Sequence, residues 1–131
     1  EKCAALEPVS VFVYDSGEGT LYSIAGGGLE NELVTIAGGA NIFADQEGHY
    51  IGASIEGIIE RNPEVIVVFD YSITSPADEK IAYLKGLPEL ADVSAIVNDR
   101  FVVVPIYAMF PSVQNIDVIQ TLAAGLHPDQ F

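Results

Sequence analysis

Two aspartates head the side chains able to do chemistry. Asp15 and Asp70 each follow a compact run of β-branched and aromatic residues, Val9–Tyr14 and Glu64–Phe69. Carboxylates at the exits of two buried strands could hold Mg²⁺ or accept a phosphoryl group. Such a pocket needs a further acid beside the first aspartate and a lysine after a later strand. Ser16 stands in the first place, and no lysine follows Lys85. Turn-forming aspartate is the plainer reading, with a receiver-like phospho-accepting domain built on Asp15 and Asp70 kept as a remote alternative.

Other reactive types are sparse. Gly26–Gly28 ahead of a helix could cradle an anion, but the run lacks both nucleotide-binding glycine spacings. Glu30 and Glu32 would repel phosphate there, so tight backbone packing and dipole-complementing acids are the simpler expectation. His49 and His127 are too isolated to suggest a metal site; His49 sits in a loop where it could touch a ligand, and His127 belongs at a helix end. Ser16 has neither a nucleophile-elbow context nor an evident base. Cys3 is the single cysteine, which excludes an internal disulfide and argues against a thiolate zinc site. No catalytic residue, resident metal or cofactor is expected.

Aromatic residues are more telling. Tyr14, Tyr22, Tyr50, Tyr71, Tyr107 and Phe110, with Met109, lie in or beside loops that should gather at one end of a sheet. Rings with hydrogen-bonding tips suit a pocket for a bulky, partly apolar ligand. Equally, they could roof the core. Glu56 falls in the first turn of a helix, where an acid complements the dipole and could also seat an arginine of another protein.

The elements that must position these groups follow from pattern. Glu64–Phe69 is too apolar to have a wet face, as in a parallel sheet covered by helices on both sides, and ligands of such sheets collect beyond the strands' carboxyl ends. Val9–Tyr14 is a second buried strand. Leu29, Leu33, Ile36 and Ala37 lie at helical spacing, ended by Gly38-Gly39, and 41–50 reads as irregular, with Ile42 and Phe43 as core anchors. Ser54 caps a helix closed by Asn62-Pro63. Ser75-Pro76-Ala77-Asp78 starts another, with Ile81, Ala82 and Leu84 as its apolar stripe. A short helical turn within 87–93 precedes two short strands, Ala95–Val97 and Phe101–Pro105, the latter at a sheet edge on account of Pro105. Ser112 caps a last helix with Ile116, Ile119, Leu122, Ala123 and Leu126 on one face, stopped by His127-Pro128. The expected fold is a single three-layer α/β/α (Rossmann-like) unit with a mostly parallel central sheet.

At 131 residues, half of them hydrophobic, the chain can bury a core of its own. Five Lys and Arg against 19 Asp and Glu give a net charge of -14, which argues against nucleic acid or anionic lipid as a partner.

Taken in order, several stretches resemble the C-terminal lobe of the periplasmic-type solute-binding proteins that serve ABC importers of iron-siderophores, haem and cobalamin. They are Val11-Phe-Val-Tyr-Asp-Ser-Gly17, Ala25-Gly-Gly-Gly28 with Ala37-Gly-Gly-Ala-Asn-Ile-Phe-Ala-Asp45, and Ser54-Ile-Glu56 running into Asn62-Pro-Glu-Val-Ile-Val-Val-Phe-Asp-Tyr71. Lys80-Ile-Ala-Tyr-Leu84, Ala95-Ile-Val-Asn-Asp-Arg-Phe-Val-Val-Val104 and Leu122-Ala-Ala-Gly-Leu-His-Pro128 complete the set. The resemblance implies a non-enzymatic lobe of a two-lobed extracytoplasmic protein, with residues 1–8 as the tail of an inter-lobe helix, 9–131 as the lobe, and the N-terminal lobe and any lipid-anchor cysteine outside this sequence. Cys3 would fall in the helix tail and be no anchor. It further implies an iron-siderophore or similar chelate as cargo, with cobalamin or haem as alternatives, and Glu56 as the acid that docks onto permease arginines. Tyr50 matches a ligand-facing aromatic, and the loops at Asp15–Tyr22, Asp70–Ser75 and Tyr107–Pro111 would wall the cleft. Arg61 and Arg100 fall elsewhere, which leaves this wall without the charge-paired recognition given to some anionic siderophores.

Overall fold

The computed structural model describes residues 7–17, 21–71, 76–105 and 114–128. Four strands, β1 (Val9–Tyr14), β3 (Gly39–Asn41), β5 (Val65–Asp70) and β6 (Phe101–Pro105), form a parallel sheet in the order β3-β1-β5-β6. Val11 pairs with Val65 and Ile66 with Phe101, so the runs read as buried strands lie at and beside the centre. β6 forms one edge, as Pro105 requires. A separate antiparallel ribbon joins β2 (Leu21–Ile24) to β4 (Tyr50–Ala53).

Strand alternation divides the core into two. Val11, Val13, Val65, Val67, Phe69, Val102 and Val104 face α1 (Leu29–Ile36) and α5 (Gln114–Leu126), meeting Leu33, Val34, Val118 and Leu122. Phe12, Tyr14, Ile66 and Val68 face the opposite layer, built from α2 (Ile55–Arg61), α3 (Ala77–Lys85), the 3₁₀ turn Pro88–Leu90 and α4 (Ser94–Val97). There they pack on Ile58, Leu84, Leu90 and Ala95. The three-layer α/β architecture read from the strands' lack of a wet face is the one observed.

Local chemistry explains the ends of several elements. The Ser54 hydroxyl accepts from the Gly57 N–H at 3.0 Å and caps α2, which stops at Asn62 in the left-handed region (φ 44°) just before Pro63. A Cβ on Gly26 would lie 2.2 Å from the Ala44 carbonyl oxygen, and one on Gly28 would lie 2.5 Å from the His49 ring. The triplet is therefore where the 42–49 segment lies directly on backbone, the packing role expected of it. Arg61 fastens that segment from the far side, donating to the Ile42 carbonyl and to Asp45.

Several expectations need correction. Ala95–Val97 is helical, belonging to α4, because the Ala95 and Arg100 N–H groups are taken by the Pro63 and Ala95 carbonyls and the segment never reaches the sheet. The 41–50 stretch is not wholly irregular: Gly39–Asn41 pairs with β1, and Tyr50 begins β4. Ile36 and Ile116, expected on buried stripes, are 57% and 65% exposed. The stripe of α3 is Ala77, Lys80, Ile81 and Leu84, with Ala82 exposed. Ser75 and Ser112, assigned as caps, lie outside the described residues; in α3 the cap comes from Asp70, whose Oδ1 accepts from the Ala77 N–H at 3.1 Å.

Candidate ligand-binding face

Because the four sheet strands are parallel, their carboxyl ends share one edge of the sheet. The chain leaves β1 toward β3 on one side and leaves β5 toward β6 on the other. Such a divergence opens a crevice between the two central strands, the preferred ligand position in open α/β sheets. Asp15, Asp70 and Tyr71 stand at those two exits.

Here the structure brings several predicted residues together. The Tyr71 hydroxyl donates to Asp15 Oδ1, and the Ser16 hydroxyl donates to Asp15 Oδ2 at 3.0 Å. Main-chain bonds between Asp15 and Tyr22 (2.9 Å) and between Tyr22 and Ser16 (2.8 Å) tie the ribbon to the end of β1. In that ribbon Tyr22 pairs with Gly52 and Ile24 with Tyr50, so Tyr22 and Tyr50 are diagonal neighbours on one face. Both rings are about half exposed, at 48% and 49%. The other face turns Leu21, Ser23 and Ala53 inward. The Tyr50 hydroxyl donates to Glu30 Oε2, which joins the first turn of α1 to the same cluster.

The phenols are perturbed accordingly. The Glu30 carboxylate, then partial burial, holds the Tyr50 phenol well above its ordinary pKa. Burial first, then the bond to Asp15, does the same for Tyr71. Asp15, Glu30, Tyr50 and Tyr71 lie close enough for their charges to interact.

Tyr14 is the exception. It is 1% exposed, stacks on Phe12 and donates its hydroxyl to the Gly17 carbonyl, so it supports the β1 exit from below and cannot form a wall. Tyr107, Met109 and Phe110 lie outside the described residues. Glu56 is exposed in the first turn of α2. Asp70 serves as the α3 cap, a structural duty that differs from the phospho-acceptor alternative. Among the described residues, no group of three or more His, Cys, Asp and Glu side chains could hold a metal ion.

Two residues, Lys80 and Glu30, escaped the sequence reading of this face. Lys80 of α3 is 5% exposed, and its ammonium donates at 2.6 Å to the main-chain carbonyls of both Asp15 and Phe69 while lying 4.3 Å from the centre of the Tyr71 ring. Burial pulls its pKa down, against the opposing pull of Asp15 and Asp70. The signal was present: Lys80 lies three residues after Ala77 and four before Leu84, on the stripe that faces the core. Glu30 sits likewise before Leu33, Val34 and Ala37.

The described face thus combines two half-exposed tyrosines on the β2–β4 ribbon with the Asp15–Tyr71 pair at the exits of the central strands. The profile of the periplasmic binding protein family matches residues 1–108, and the chain belongs to that family, whose members bind and do not catalyse. Solved structures agree. A periplasmic binding protein of Veillonella parvula superposes with a TM-score of 0.85 at 28% identity, covering 97% of this chain and 45% of that one. The periplasmic vitamin B12-binding protein of Vibrio cholerae superposes with a TM-score of 0.75 at 25% identity, covering 98% of this chain and 48% of that one. In sequence, the vitamin B12-binding protein of a Vibrio cholerae O1 strain is 33% identical over 72 residues, or 55% of this chain and 26% of the relative. That of Yersinia pestis is 35% identical over 68 residues, 52% of this chain and 24% of the relative. The chain thus spans just under half the length of these solved structures, and its sequence matches extend over about a quarter of the curated relatives.

Proposed function

We propose that this chain is the C-terminal lobe of the substrate-binding protein of an ABC importer, working outside the cytoplasmic membrane on a bulky chelate. The observation that carries the reading is the placing of Tyr22 and Tyr50, half exposed on one ribbon face beside the Asp15–Tyr71 pair at the diverging exits of β1 and β5. The opposite wall of the cleft belongs to an N-terminal lobe, and the two close over the cargo. Tyrosine rings pack against the ligand, and their hydroxyls and the carboxylates beneath fix its orientation. Tyr107, Met109 and Phe110, outside the described residues, are assigned to the same wall from the sequence alone. Closure presents Glu56 to arginines of the permease.

The cargo class is an iron-siderophore, haem or cobalamin. The relatives at 33% and 35% identity are vitamin B12-binding proteins, which favours cobalamin over the iron-siderophore expected from the sequence. The test is titration of the full-length protein with ferrichrome, haemin and cyanocobalamin, followed by quenching of tyrosine emission. Saturable binding of one of the three supports the reading, and no binding of any of them overturns it.

A further inference from the structure

The chain has five Lys and Arg, and their positions bear on what the cleft can recognise. Lys2 lies outside the described residues. Arg61 is held by Asp45 and the Ile42 carbonyl, and Arg100 donates to the Gly125 and Leu126 carbonyls at the end of α5. Lys85 pairs with Asp99 at 2.6 Å. Only Lys80, among the four described, reaches the exits of β1 and β5, and its ammonium is buried against two main-chain carbonyls behind the Tyr71 ring. Segments 18–20, 72–75 and 106–113, outside the described residues, contain no Lys or Arg.

The polar groups bonded to the two carboxylates have a single character, from which the Tyr22 phenol and the exposed His49 ring beside Tyr50 stand apart. A phenol has one proton, and Tyr71 and Tyr50 give theirs to Asp15 and Glu30. Their oxygens are then left with lone pairs only. Toward any further partner the Tyr50 and Tyr71 phenols and their carboxylates are therefore acceptors, and both carboxylates lie where burial weakens solvent screening.

We propose that this lobe biases cargo choice by charge: the phenol-capped carboxylates Asp15 and Glu30 favour a neutral or cationic chelate bearing N–H or O–H donors and disfavour an anionic one. The inference rests on the binding reading above and names the specificity of that same cleft. Tyr22 and Tyr50 supply ring contact that is indifferent to charge, so discrimination falls to the floor beneath them.

The experiment uses the full-length protein and ferric chelates of graded charge: cationic ferrioxamine B, neutral ferrichrome and anionic ferric enterobactin, with cyanocobalamin as a neutral corrinoid. The wild type is expected to bind the neutral or cationic probes more tightly than ferric enterobactin, and added salt should narrow the gap. Asp15→Asn with Glu30→Gln keeps an acceptor for each phenol and removes both charges. It should shift the ratio of anionic to cationic affinity by about fivefold or more toward the anion. Tightest binding of ferric enterobactin by the wild type, or a ratio unchanged in the double variant, would overturn charge selection while leaving the binding reading in place. Failure of every probe to bind would remove both. Should the double variant fold poorly, the salt dependence of the wild type decides alone, and a gap that does not narrow counts against the proposal.

Discussion

The ammonium of Lys80 donates to the main-chain carbonyl of Asp15 at 2.6 Å, across 65 positions of sequence, and through the matching bond to Phe69 it ties the exits of β1 and β5 to α3. A parallel pair has no hydrogen bonds left at its carboxyl end, where the chain must turn away. One buried lysine fills both vacancies and leaves the crevice between them with a fixed floor.

Replacing Lys80 should therefore destabilise the protein. Lys80→Met keeps the buried stem but leaves two carbonyls without their charged donor, a loss of about 2–4 kcal/mol. Urea denaturation measures it, and a midpoint equal to that of the wild type would show that the clamp contributes nothing.

Alkaline pH should weaken the fold through the two capped phenols. Tyr50 and Tyr71 have folded-state pKa values above the ordinary value of about 10. The folded chain keeps protons that the unfolded chain releases, so their contribution is whole below about pH 10 and is lost as pH rises toward the folded values. Lys80, with its lowered pKa, works in the opposite direction. Tyr71→Phe retains the ring over Lys80 and isolates the phenol: its stability should fall less steeply above pH 10 than that of the wild type, and identical slopes would contradict the assignment.

Close packing of α5 on β6 depends on Gly125, where an added Cβ would stand 2.4 Å from Val102 Cγ2. Gly125→Ala should cost about 1–3 kcal/mol through that overlap. Thermal unfolding at an unchanged temperature would mean that the helix simply shifts.

For Glu56, the expected split is between binding and transport. Glu56→Ala should leave cargo affinity unchanged, cost at most about 1 kcal/mol of stability from the helix terminus, and lower uptake in cells carrying the full transporter. Undiminished uptake would end its docking role.

The sequence carries the architecture more clearly than the site. Val9–Tyr14 and Val65–Asp70 are legible as central strands because alternate residues are buried in two different cores and both alternations must be apolar. Gly39–Asn41 was hidden: glycine, alanine and asparagine have little strand tendency, and pairing with β1 alone makes them a strand. Leu21–Ile24 and Tyr50–Ala53 are four residues each, too short for alternation to rise above their glycine-rich surroundings. Ala95–Val97 misled in the other direction, since two β-branched residues outweighed Ser94 and a length better suited to one helical turn. Of the residues gathered at the candidate face, Asp15, Tyr22, Tyr50 and Tyr71 are legible in the sequence because they flank recognisable strands or loops. Glu30 and Lys80 were missed because a charged residue on a helix is ordinarily taken as solvated, even where its spacing puts it on the inward stripe.

The most direct measurement is the affinity of the full-length protein for its tightest-binding chelate after truncation of each exposed ring. Tyr22→Ala and Tyr50→Ala are each expected to weaken binding about tenfold, or about 1.4 kcal/mol, with the circular dichroism spectrum unchanged. Affinities equal to that of the wild type in both variants would show that the cargo lies somewhere else.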